Sequence, residues 1–111
     1  MSKQIKLNYD NKEYILEYNR KSVSAMEALG FNAKEVDDKM ATMIPLMFQG
    51  AFIMHHPSIK IALINEIYDK VEDKMKLMNT LSNMINDCYQ SLLADNDKKE
   101  DDGKNVSWEI M

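Results

Sequence analysis

One cysteine, three glycines and two prolines are all that this sequence has of the residues that staple, bend or punctuate a chain, and each scarcity closes off a class of protein. The lone Cys88 cannot form an intramolecular disulfide, which excludes the bridge framework of small secreted domains. Three glycines supply no phosphate-cradling loop. Long apolar runs are missing as well. The most apolar stretch, Met43 to Met54, is about a dozen residues long and contains Pro45, Gln49 and Gly50, whereas a membrane span needs about 20 apolar residues. It reads as a core helix, and no membrane partner is expected. Excess positive charge is also lacking: the net charge is −4, so the molecule repels a phosphate backbone and nucleic acid is not expected as a partner. Met1 to Gln4 leads into no secretory apolar segment, so a reducing cytoplasm is the expected location.

What is present suffices for one domain. The chain has 111 residues, 45% of them apolar and 29% charged, a composition that folds. The pattern predicts an α+β, mainly helical domain over residues 1–94, with an N-terminal β-hairpin packed on about four helices. Ile5, Leu7 and Tyr9 alternate with polar residues, Asp10-Asn11 suits a tight turn, and Tyr14 to Tyr18 resumes the strand pattern. A first helix is expected to be capped between Asn19 and Ser24 and stopped at Gly30, with Phe31 folding back toward Met26. Apolar residues from Met40 to His55 recur every three or four positions and predict a second helix, either beginning near Thr42 so that Pro45 falls in its first turn, the start expected here, or kinked at Pro45. Ser58 is a candidate cap for a third helix carrying Ile61, Ile64, Tyr68 and Val71. A fourth runs from about Lys74 to Leu93, with Met78, Leu81, Ile85, Cys88 and Leu92 on one stripe. Residues 95–111 read as a flexible acidic tail: Ala94 to Asn105 is almost wholly polar, and beyond it Val106, Trp108 and Ile110 alternate with polar residues as on a strand.

Little in the sequence points to chemistry. His55 and His56 are neighbours on a predicted helix and point about 100° apart, so they cannot share one small target. The apolar stripe makes His55 the half-buried one and His56 the exposed one. Neither His at i and i+4 nor paired cysteines occur, so no metal and no cofactor are expected. Met40 with Met43, and Met75 with Met78, have spacing that two thioethers sharing Cu(I) would need, but no soft anchor reinforces them. Cys88 lies on an apolar stripe and reads as an inert core thiol. No nucleophile stands beside a base, and no enzymatic activity is expected. Ten methionines are unusual, and a pliable methionine surface suits variable protein partners as well as a core. Met43, Met47, Phe48 and Phe52 are therefore candidates either for the core or for a partner-binding face. The tail residues Val106, Trp108 and Ile110 are candidates for docking by strand addition on the edge of the N-terminal hairpin, of the same molecule or a neighbour's, or for a peptide kept free for a viral partner.

Tyr14-Ile-Leu-Glu-Tyr-Asn-Arg-Lys-Ser-Val23, Met26-Glu27 followed by Gly30-Phe31, Met43-Ile-Pro-Leu-Met-Phe-Gln-Gly-Ala-Phe52, His55-His56 and Ile67-Tyr68 together resemble a small family of tail assembly chaperones of long-tailed phages and prophages of Gram-positive bacteria. The likeness covers about half the chain, is densest from Tyr14 to Tyr68, and touches Trp108-Glu109. The resemblance implies a non-catalytic, cofactor-free protein of the host cytoplasm that is absent from the virion. Such a protein holds the tape-measure protein soluble and helps recruit tail-tube subunits; a homo-oligomer is compatible with it. Two other classes stay open, a structural tail or head-completion protein of the particle and a small transcriptional regulator. The regulator would need a basic recognition surface, and the chain has only Arg20-Lys21 as a local cluster.

Overall fold

Two adjacent residues with left-handed backbone, Asp10 (φ 53°) and Asn11 (φ 61°), reverse the chain in the two-residue turn whose twist matches paired strands. They join β1 (Ile5–Tyr9) to β2 (Lys12–Leu16) in antiparallel register, with Ile5 opposite Leu16 and Leu7 opposite Tyr14. The computed structural model describes residues 3–94 and 108–110. After the hairpin come α1 (Arg20–Ala28), a single 3-10 turn (Ala33–Glu35), α2 (Met40–Gly50), α3 (Ile61–Lys70) and α4 (Lys74–Leu93). The architecture is the expected α+β one, with more than half of the described residues helical.

Helix α1 is held at both ends by local chemistry. Asn19 accepts from the Ser22 amide while the Ser22 hydroxyl side chain receives the Asn19 amide, a reciprocal cap. At the other end Gly30 takes φ +107°, the Phe31 amide donates to the Met26 carbonyl and the Gly30 amide to that of Glu27. That is the paired stop in which the residue after glycine packs back on the helix, and both Phe31 and Met26 are buried.

Helix α2 departs from expectation at both ends. It starts at Met40, so Pro45 lies inside it rather than in its first turn. A proline removes one amide and leaves the carbonyl four residues back without its donor. Here Pro45 and Ala41 are both exposed, so that carbonyl lies on the solvent-facing side of the helix. At its C-terminus the helix stops at Gly50, and Ala51, Phe52 and Ile53 donate to carbonyls three residues back, tightening the chain into turns. Regular helical periodicity therefore ends before His55. The Met47 carbonyl, which the Ala51 amide no longer reaches, accepts instead from the buried Tyr18 hydroxyl at 2.5 Å. Helix α3 begins after Lys60, with no side-chain cap, so Ser58 does not play that part. Asp73, at φ 53°, caps α4 by accepting from the Lys76 amide.

One apolar cluster joins these elements. β2 contributes Tyr14 and Leu16, the segment after it Tyr18, α1 Val23 and Met26, α3 Ile64 and Ile67, and α4 Met78, Leu81, Met84 and Ile85. The middle is filled by α2 and the turn after it through Met43, Met47, Phe48, Ala51 and Phe52. Phe52 meets Phe48 and Tyr14 edge to face, with centroids 5.1 and 5.9 Å away. Gly50 is where α1 crosses α2: a Cβ there would stand 2.2 Å from the Met26 sulfur. Toward its C-terminus α4 outruns the body, leaving Leu92 and Leu93 exposed. Among the described residues, no helix is long and apolar enough to cross a membrane.

Candidate partner-binding surface

The four helix residues named as candidates do not form a surface. Met43, Met47, Phe48 and Phe52 are 4%, 1%, 1% and 0% exposed, and they turn inward against the hairpin, α3 and α4. The apolar stripe of α2 is the centre of the domain's own core, which corrects the partner-face alternative. Methionine divides likewise, with Met26, Met43, Met47, Met78 and Met84 buried and Met40, Met54 and Met75 exposed at scattered points. Of the tail candidates, Trp108 and Ile110 are 82% and 89% exposed, and Val106 lies outside the described residues, as does the expected linker from Asp95.

The histidines also exchange the roles read from the helical stripe, because the turns after Gly50 rotate them off it. His56 is the half-buried one. Its Nε2 accepts from the Ile15 amide at 3.0 Å, and its ring packs on Tyr14 and Phe52. Desolvation, then the charges of His55 and Lys12, hold its pKa below the ordinary 6.5, in keeping with a neutral acceptor. His55 pairs through Nε2 with Glu17 Oε1 at 2.7 Å, and the same oxygen accepts from Gln4 Nε2 at 2.9 Å. Cys88 is half-buried, and desolvation pushes its thiol up, away from the reactive thiolate. Among the described residues no group of three His, Cys, Asp or Glu side chains is placed to hold a metal ion.

The hairpin edge that the sequence offered for strand addition borders a surface whose opposite side the sequence did not show, and that surface follows from the hairpin's two unequal edges. In a two-residue hairpin the residues flanking the turn exchange ladder bonds, and alternate residues direct their amides outward. On β2 and just beyond it two outward amides are bonded, Ile15 to His56 and Glu17 to the Ala51 carbonyl, each at 3.0 Å. β1 carries the equivalent outward groups at Lys6 and Asn8, and no third strand or loop pairs with them among the described residues. Beside that open edge runs a groove of about 650 Å³. β1 forms one wall; Ile67, Lys70 and the Val71–Asp73 connection form the end; Lys76, Leu77 and Thr80 of α4 form the other wall. Ile5, Leu7, Val71 and Leu77 are packed against the core yet still partly exposed, so the floor is apolar. Lys6, Lys70 and Lys76 face Glu72 and Asp73 around the rim. Tyr9, at the far end of β1, donates to the Glu66 carboxylate, and that bond chiefly pushes its pKa up to about 12. The alternation of Ile5, Leu7 and Tyr9 was legible in sequence; that the start of α4 would stand opposite them was not.

No curated protein and no solved structure matches the chain. A family model matches residues 1–111, and the chain belongs to that family, described as Domain of unknown function (DUF5055).

Proposed function

We propose that the chain is a tail assembly chaperone of a bacterial virus. It binds the tape-measure protein in the host cytoplasm, helps recruit tail-tube subunits and catalyses nothing. The resemblance across Tyr14 to Tyr68 supports the family; the open groove beside β1 supports binding as the mode of action. A strand edge with unpaired backbone groups above an apolar floor accepts a segment of another protein by backbone bonding, with side chains seated in the groove. Such contact tolerates varied sequences, which a chaperone for a long client requires.

Co-expression with the tape-measure protein of the same virus tests this. The chain should keep that protein soluble and co-purify with it, and Leu77→Glu, in the groove floor, should reduce recovery at least tenfold while leaving the circular dichroism spectrum unchanged. Equal insolubility of the tape-measure protein with and without the chain would overturn the proposal. Stoichiometric chain in purified virions, by mass spectrometry, would replace it with the structural role.

A further inference from the structure

The groove beside β1 and the apolar residues near the C-terminus are complementary. Lys6 and Asn8 direct backbone donors and acceptors away from β2, over a floor that includes Leu7 and Leu77. Trp108 and Ile110 are large apolar side chains two positions apart, the spacing that puts both on one face of a strand, and both are exposed on their own chain. We propose that the Trp108–Ile110 peptide of one copy adds as a third strand to the β1 edge of a second copy, with Trp108 in the groove.

Chain reach favours exchange between copies. Thirteen residues separate Ala94 from Trp108, and a random coil of that length averages about 20 Å end to end. The groove wall at Leu77 lies about 24 Å back along α4 from its last residue, Leu93, at 1.5 Å per residue. Seating the peptide in its own groove would require the connection to double back beyond its mean reach. The groove of a second copy can lie within that reach without the connection running back along α4, and reciprocal exchange closes a two-fold dimer.

Trp108 is the sole tryptophan, so its emission reports the contact directly. In purified full-length protein the emission should be blue-shifted at about 100 μM and move to the red on dilution, in step with a dimer-to-monomer transition in analytical ultracentrifugation. Asn8→Pro removes an outward amide and leaves the ladder to β2 intact, a change edge strands accept. It should abolish both the shift and the dimer, as should Trp108→Ser for the dimer. Thermal melting of each variant checks folding. Red emission and a monomer at all concentrations would overturn the inference. So would a blue shift that survives dilution, which means docking within one chain, or a dimer that survives Trp108→Ser. None of these outcomes depends on the tape-measure protein.

Discussion

Tyr18→Phe isolates the buried side-chain hydrogen bond that ties the segment after β2 to the end of α2. Tyr18 is 1% exposed, and its hydroxyl meets a Met47 carbonyl that the shortened final turn of α2 leaves without its helical donor. The substitution keeps the ring and its packing but orphans that carbonyl. Leaving a buried acceptor unpaired costs about 1–3 kcal/mol. A domain of this size has about 5–15 kcal/mol in total, so the loss is a substantial part of it. With a urea m value of about 1–2 kcal/mol per molar, the midpoint should fall by roughly 0.5–3 M at unchanged m. Alkaline titration supplies an independent readout. Burial raises the Tyr18 pKa well above 10.0. The unfolded chain therefore loses this proton first, and native stability falls as pH rises above about 10. In Tyr18→Phe that component of the fall should be absent. A midpoint within about 0.3 M of wild type would show that the Met47 carbonyl finds another donor at little cost, and would refute the assignment.

Gly50→Ala should destabilise by about 1–3 kcal/mol through overpacking, because its Cβ would meet the Met26 Sδ and Cγ at 2.2 and 2.3 Å. The same substitution made in a Met26→Ala background should cost less, and an equal cost in both backgrounds would exclude the steric explanation. Phe52→Asp should abolish cooperative unfolding and near-ultraviolet dichroism, since it places a carboxylate where a 0% exposed ring now packs; a well-folded variant would return α2 to the list of partner surfaces. The depressed His56 pKa predicts that stability, constant above about pH 6.5, declines as pH falls toward the native value and levels off below it. His56→Gln, which keeps an acceptor for the Ile15 amide, should flatten the denaturation midpoint between pH 7.5 and 5. A slope unchanged in that variant would assign the effect to other groups.

The parts of the fold that were legible in sequence are those decided within a few residues. Asp10-Asn11 specified the hairpin because left-handed backbone is costly for most other residues, and Gly30 with Phe31 specified the stop of α1 for the same reason. The errors fell where a tertiary environment decides. Whether proline is tolerated in a helix depends on whether the orphaned carbonyl sees water, and Pro45 does not reveal which face it occupies. The end of α2 depends on Tyr18, 29 residues back from Met47 along the chain, accepting the role of helix donor. Once the helix ended at Gly50, the stripe that placed His55 inward no longer held, and the two histidines changed parts.

The same division explains why the α2 stripe admitted two readings in sequence. An apolar helical stripe reads identically whether its cover is the rest of the domain or another protein, and on α2 the hairpin and two helices supply the cover. An open strand edge has the opposite property, since its exposed groups are backbone and belong to no residue type. Only pairing identifies them. The outward amides of Ile15 and Glu17 are taken by His56 and Ala51, whereas those of Lys6 and Asn8 on β1 meet no backbone partner among the described residues. Proteins commonly protect such an edge with charge, and Lys6 sits on it, side chain 3.8 Å from the carboxylate of Glu13 on the neighbouring strand and 64% exposed. A single exposed lysine discourages flat edge-to-edge stacking of identical hairpins while leaving the groove side of β1 open to a peptide entering over Leu7 and Leu77. The charge on Lys6 therefore opposes hairpin-to-hairpin pairing while the groove side of β1 stays open among the described residues.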